Sequence, residues 1–251
     1  MPTSSTSNHD RVEGRNPVLE ALRGPRKVHT VYIASGTERK GHIAEIISRC
    51  DRERIPVREV SRERLAEMAE TVAPQGVIAD VSPFRYVSVD EIPRSGAGRV
   101  QLVFALDGVE DPRNLGSLLR VADATGADGV IITKRRSAHI TASVAKASAG
   151  AVEHVKVAQV ANIPSTIEKF KEKGLWVVGA DSSGVDYYEL DLTGPLLLVL
   201  GGEGKGLGRL VAGRCDFLAR LPMLGKVSSL NVATAGAVLA YEALRQRASK
   251  T

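Results

Sequence analysis

The chain has 251 residues, 43% of them hydrophobic and 25% charged, an ordinary globular composition with length for two modest domains or one large one. Lysine and arginine outnumber aspartate and glutamate by 34 to 29; this mild excess, with an isoelectric point near 9.3, permits a polyanionic partner without establishing one. Cys50 and Cys215 show no CxxC spacing and the five histidines are scattered, which argues against a disulfide framework or a zinc site, so buried reduced thiols and no metal are expected. No apolar run reaches the length of a bilayer span, and the polar start MPTSSTSNHD does not read as a signal peptide, so a cytoplasmic protein is expected.

Residues 1–10 read as a disordered start. Arg11–Leu22 (RVEGRNPVLEAL) predicts a short turn and an amphipathic helix, with Asn16 as its cap and Pro17 in the first turn. Lys27–Ala34 alternates as a strand does, residues 39–52 suit a helix with Ile43, Ile46 and Ile47 inward, and Ile55–Val60 is a second strand. Ser61 opens a short helix through Ala69, and Gly76–Val81 adds a third strand. Residues 11–81 thus predict a small α/β domain with a thin core. Residues 82–98, with two prolines and two glycines, read as a linker.

Residues 99–251 predict a second domain. Its strands are Val100–Leu106, Gly129–Thr133, Val155–Ala158, Leu175–Asp181 and the unbroken apolar run Leu196–Leu200, a pattern suited to burial on both faces. Helices are expected at Leu115–Thr125, 140–149 and Ile163–Lys173. Strands alternating with helices predict a mostly parallel sheet covered on both sides. Asn114 stands where it would cap the helix from Leu115, and Ser228 or Ser229 where they would cap a last helix running toward Arg247.

Gly201-Gly202-Glu203-Gly204-Lys205-Gly206-Leu207-Gly208 carries five glycines in eight positions, a backbone able to take positive φ and approach a ligand closely. It is not a Walker A loop, because Lys205 is followed by Gly206 rather than Ser or Thr. Nor does any of its glycines have partners two and five residues on, as a dinucleotide fingerprint requires. Loops at the carboxyl ends of neighbouring strands are where an open α/β sheet holds its ligand.

Three segments then come together: Asn114-Leu115-Gly116-Ser117-Leu118-Leu119-Arg120, Leu200–Leu207, and Pro222-Met223 with Ser228-Ser229-Leu230-Asn231-Val232-Ala233. In this order and spacing they resemble the three motifs of the SpoU (TrmH-like) branch of the SPOUT RNA methyltransferases. The start EGRNPVLEAL is similar to the ribosomal-protein-L30e-like RNA-binding domain of guanosine-2′-O-methyltransferases that act on 23S ribosomal RNA. The resemblance implies a deep trefoil knot in the second domain, a homodimer with active sites at the subunit interface, and methylation of a ribose 2′-hydroxyl. It implies S-adenosylmethionine bound by loops at 179–181, 201–207 and 221–230, which contribute Ala180, Gly201, Gly202, Gly204, Gly206, Leu221, Met223, Ser229 and Leu230. It assigns catalytic roles to Asn114, Arg120, Glu203, Ser229 and Asn231. A transfer RNA substrate, or a ribosome-associated RNA-binding protein without catalysis, are the alternatives.

Methyl transfer asks the protein to align an electrophilic methyl with a ribose oxygen and to manage that oxygen's proton. Arg120 is a poor base, since a guanidinium holds its proton above pH ~12; the resemblance implies that it anchors a substrate phosphate and, through it, assists deprotonation. On position alone Arg120 would instead pair with Asp123, three residues on. Lys134, Arg135 and Arg136 follow a strand beside the expected active edge, and with Arg113 and Lys146 are candidate phosphate contacts. Arg11, Arg15 and Asn16 are the corresponding candidates in the first domain.

Overall fold

A computed structural model describes residues 9–92, 100–204 and 206–249. The described residues fall into two compact units, one running to Arg85 and including His139–His154, the other comprising Tyr86–Ala138 and the chain from Val155 onward.

The first unit contains β1 (Asp10–Glu13), α1 (Arg15–Arg23), β2 (Val28–Ala34), α2 (His42–Glu53), β3 (Val57–Val60), α3 (Arg62–Met68) and β4 (Val77–Val81). Its sheet has the order β1-β4-β2-β3, with β4 antiparallel to both neighbours and β3 parallel to β2. Val18, Leu19, Val31, Ile43, Ile46 and Ala79 form its core, as the helical and strand periods require. Two expectations are corrected here. Asp10 is not disordered: it pairs with Val81, and its carboxylate accepts from Phe84 N at 2.7 Å and holds Arg26 at 3.2 Å. Asn16 is not the cap of α1; Gly14, at φ 98°, occupies that place, a conformation a side chain would oppose. Residues 1–8 lie outside the described chain.

The second unit contains β5 (Leu102–Asp107), α4 (Pro112–Ala124) and β6 (Gly129–Thr133). After α5 (Ala142–Ala147), which belongs to the first unit, it continues with β7 (Val157–Val160), α6 (Ile163–Glu172), β8 (Trp176–Asp186), β9 (Leu196–Gly201), α7 (Arg209–Ala212), β10 (Phe217–Arg220) and α8 (Val232–Ala248). The sheet order is β10-β8-β9-β5-β6-β7, and every described pairing is parallel. One face packs Val103, Ala105, Ile131 and Val199 against Ile163, Ile167 and Phe170 of α6 and Val211 of α7. On the other face α8 comes so close that a methyl on Gly236 would stand 2.7 Å from both Leu118 of α4 and Leu200 of β9. The chain builds outward from β5 through β6 and β7, then crosses to β8 on the other side of β5, and β9 fills the place between β8 and β5. That reversal puts the switch point between β5 and β9.

The linker expected over 82–98 is only partly a spacer. Val87 forms a bridge with Ala158, and Ile92 is buried in the second unit's core; the part from 93 to 98 lies outside the described residues. Segment 139–154, expected to belong wholly to the second domain, is bonded within the first unit. Arg26 meets Glu153 in a bidentate pair at 3.0 and 2.5 Å, His154 meets Glu20 at 2.7 Å, and Lys146 Nζ donates to Thr71 Oγ1 and Ala73 O at 3.1 and 2.5 Å. Gly150, at φ +91°, approaches α1 where a Cβ would stand 2.6 Å from that of Glu20. Cys50 is buried and Cys215 half-buried, and burial pushes each thiol up to about 11.

Candidate active site

Loops at the carboxyl ends of β8, β9 and β10, adjacent strands, form one side of the site. β8 pairs with β10 at Gly179–Leu218 and again at Val185–Ala219, so residues 180–184 arch out of the sheet between the two. Asp181 closes the arch by accepting from the amide and hydroxyl of Ser183 at 2.9 and 2.7 Å. The arch returns so near β10 that a Cβ on Gly184 would lie 2.1 Å from the Leu218 carbonyl oxygen. Ala180, half-buried, begins it.

After β9 the glycine loop turns back on itself. Gly202 and Gly206 form a bridge, with Gly206 N donating to Gly202 O at 3.1 Å. Gly204 and Gly206 take φ of 73° and 61°, and a Cβ on Gly201 would strike Gly206 at 2.1 Å. This turn needs glycine because two backbones meet with no room for a side chain. It lifts Glu203, which is exposed, to its tip. Lys205 lies outside the described residues.

Asp107, at the end of β5, holds this loop in place: its carbonyl accepts from Gly202 N at 2.8 Å and its carboxylate from Gly208 N at 3.2 Å. The third loop, Leu221–Leu230, has no regular structure; Leu221 and Met223 are half-buried, while Ser229 and Leu230 are exposed.

Both expected caps are corrected. Asp111, not Asn114, caps α4, accepting from Arg113 N at 2.7 Å. Asn231, not Ser228 or Ser229, caps α8, its Oδ1 accepting from Ala233 N and Thr234 N at 2.9 and 3.3 Å. Asn114 instead lies buried within α4, where its Oδ1 accepts from Asn231 Nδ2 at 2.9 Å. The first and third sequence motifs are thus joined by a side-chain bond across 117 residues. Arg120 lies on the exposed face of α4 and has no ion pair among the described residues; the alternative pairing with Asp123 is not formed.

On the other side of the glycine loop a cleft of about 1010 Å³ opens over the carboxyl ends of β9, β5, β6 and β7. Gly202, Glu203, Gly206, Arg135 and Arg136 line it; Asn114, Arg120 and Ser229 do not. Lys134 and Arg113 are exposed beside these loops. In the first unit, Arg15 and Asn16 are exposed at the start of α1, with Arg15 Nε donating to Gln75 O at 3.4 Å. Arg11 is committed to Met68 O at 2.5 Å and to Asp80 at 3.5 Å, and Lys146 to the bonds given above. Sequence reasoning missed Asp107 as the clamp of the glycine loop, and Arg209, which also lines the cleft. The available signal was adjacency: one residue ends a strand at the switch point, the other follows the last glycine.

Residues 101–241 match the model of the SpoU rRNA methylase family, and residues 11–87 match that of the RNA 2′-O ribose methyltransferase substrate-binding domain. YacO of Bacillus subtilis (strain 168), assigned to the TrmH family of tRNA/rRNA methyltransferases, is 44% identical over 245 residues, covering 96% of this chain and 98% of its own. Among solved structures, the SpoU methyltransferase AviRb of Streptomyces viridochromogenes in complex with AdoMet aligns at TM-score 0.79 and 28% identity, over 97% of this chain and 92% of that one. An AdoMet-bound rRNA methyltransferase of Sinorhizobium meliloti aligns at TM-score 0.78 and 28% identity, over 95% of this chain and 88% of that one. The motifs, the parallel sheet and these matches lead to one conclusion: the chain belongs to the SpoU (TrmH-like) family of RNA methyltransferases.

Proposed function

We propose that the protein methylates a ribose 2′-hydroxyl of RNA with S-adenosylmethionine as donor, and that its target is a guanosine of 23S ribosomal RNA. The observation that carries this reading is the Asn114–Asn231 hydrogen bond, which ties the helix bearing Arg120 to the third loop and to the N-terminus of α8. The donor, when bound, supplies an electrophilic methyl group. The loops at 180–184, 201–206 and 221–230 suit it, because close backbone approach at Gly184 and Gly201 leaves main-chain groups, rather than side chains, to meet a ligand. In this reading Arg120 anchors the substrate phosphate and lowers the cost of removing the ribose proton. Ser229, just before the α8 N-terminus, meets polar groups where free N–H groups and the helix dipole favour negative charge. Glu203 orders the junction between donor loops and cleft, while Arg113, Lys134, Arg135 and Arg136 receive RNA phosphates.

The first unit, which matches a substrate-binding family model, is assigned to RNA recognition through Arg15 and Asn16, with an L30e-like fold, and its presence favours ribosomal over transfer RNA. The second unit is read as threaded into a trefoil knot, an exception to the unknotted-chain rule, in keeping with the close passage of Gly184 over Leu218. A homodimer completes the site. Its support is the exposure of large apolar side chains on the third loop and α8, Leu224 at 100%, Val227 at 72% and Tyr241 at 52%. That Arg120 does not line the cleft of its own chain favours a site completed by a second copy.

The test is methyl transfer from radiolabelled S-adenosylmethionine to unmodified 23S ribosomal RNA and to transfer RNA transcripts, with ribose methylation mapped by resistance to alkaline cleavage. The expected result is one resistant position in 23S RNA, abolished in Arg120→Ala, which still gives saturable heat with S-adenosylmethionine. Label on a base, or full turnover by Arg120→Ala, overturns the mechanism.

A further inference from the structure

The cleft beside the glycine loop holds charged groups that the donor site does not use. Arg135 and Arg136 enter from the loop after β6, and Arg209 from the start of α7, directly after the glycine loop. Among the described residues none of these three guanidinium groups has a hydrogen-bond or ion-pair partner. By contrast Arg214, one turn further along the chain, is ion-paired with Glu168, and Arg220 is held by Asp186 at 2.8 Å. The cleft also carries the carboxylates of Asp107, Glu110, Asp111 and Glu203, but among the described residues none of them pairs with these three cations, which leaves the guanidinium groups free to take an anionic ligand.

The framework is built to hold them. Arg136 takes φ 54°, a left-handed conformation that costs a non-glycine residue energy and that clusters at functional positions. Arg209 is placed by the amide just before it, since Gly208 N donates to the Asp107 carboxylate. Arg135 and Arg136 follow β6, and Arg209 follows the Gly208 amide held at the end of β5, the strand paired with β6. Guanidinium groups lining one cleft suit the bidentate recognition of phosphates along a single strand. At about 1010 Å³ the cavity is at the upper end of small-molecule sites, room for more than one nucleotide unit.

We infer that this cleft seats the RNA strand beside the nucleotide to be methylated, and that Arg209 is a substrate-positioning residue that grips a backbone phosphate in the same cleft as Arg135 and Arg136. The inference rests on the proposed function and adds to it a residue outside the three motifs. Asp107 then has a double part, clamping the loop that presents Glu203 and setting the position of Arg209.

The experiment compares wild type, Arg209→Ala, Arg209→Lys and Arg214→Ala, using in vitro transcribed 23S ribosomal RNA as the probe in filter binding over a salt series, steady-state kinetics with the same transcript, and calorimetry with S-adenosylmethionine. Arg209→Ala is expected to weaken transcript binding about tenfold, the loss of one charge-assisted phosphate contact. The log–log salt slope should become shallower by about 0.7, one single-strand phosphate contact. KM for RNA should rise more than kcat falls, and donor affinity should stay unchanged, which also reports an intact fold. Arg209→Lys should recover part of the binding and all of the salt slope, and Arg214→Ala should match wild type. Wild-type transcript affinity and salt slope in Arg209→Ala overturn the inference, as does an equal loss in Arg214→Ala. Failure of the wild type to bind S-adenosylmethionine would instead strike the proposed function, a separate readout from the transcript isotherms.

Discussion

Replacing Asn231 by alanine removes two things at once. The first is the cap of α8, where Oδ1 accepts from Ala233 N and Thr234 N; loss of such a cap costs about 1 kcal/mol. The second is the donor to Asn114, a residue only 7% exposed, and an orphaned buried acceptor costs about 1 kcal/mol or more. The sum, about 2 kcal/mol, is roughly a thirtyfold change in the unfolding equilibrium of the second unit. With a urea dependence of about 2 kcal/mol/M, the midpoint should fall by about 1 M. Trp176 is the chain's single tryptophan, lies in β8 and meets the Phe217 ring at 5.6 Å in a tilted contact, so its fluorescence follows the second unit without signal from the first. Asn231→Asp separates the two contributions, because a carboxylate still caps and suits the helix N-terminus but cannot donate to Asn114. It should lose about half as much as Asn231→Ala. Equal losses in the two variants would show that capping contributes nothing, and a loss below about 0.5 kcal/mol in Asn231→Ala would refute the account of both bonds.

In the first unit, Glu153→Ala removes the bidentate partner of Arg26, whose side chain is 9% exposed, and leaves it only Asp10 at 3.2 Å and the Ser82 carbonyl; losing these charge-assisted bonds costs about 2 kcal/mol, and amide exchange over 139–154 should accelerate about thirtyfold. Unchanged protection there would mean that the ion pair does not hold this segment. The exposed side chains of Leu224, Val227 and Tyr241, with the proposed shared site, predict sedimentation as a dimer at micromolar concentration, and Val227→Asp with Tyr241→Asp should shift the species toward monomer; a wild-type monomer would remove the shared-site reading.

Several features were legible from residue order alone. The apolar run Leu196–Leu200 became the fully buried β9, and Gly129–Thr133 became β6 with its expected bounds, because a strand buried on both faces needs apolar residues throughout. The glycine loop was legible for a similar reason: only glycine tolerates the backbone contacts found at Gly201 and the positive φ at Gly204 and Gly206. Caps were less legible. Asp111 and Asn114 both suit the start of α4, and Ser228, Ser229 and Asn231 all suit α8; the choice fell to Asp111 and Asn231 when packing fixed where each helix begins. β1, with the polar sequence DRVE, carries no strand signal and forms because β4 offers it an edge.

Chain order alone, then, determined the alternation of strands and helices, the place of the close backbone turn and the set of motif residues, since each depends on local conformational preference and apolar spacing. Tertiary structure alone decided that Asn114 bonds Asn231, that Asp107 clamps the loop of Glu203, and that segment 139–154 is bonded within the first unit. It also decided that Arg209 shares a cavity with Arg135 and Arg136. These are contacts between residues up to 134 positions apart, whose partners are selected by sheet order and helix packing rather than by any neighbour in the chain.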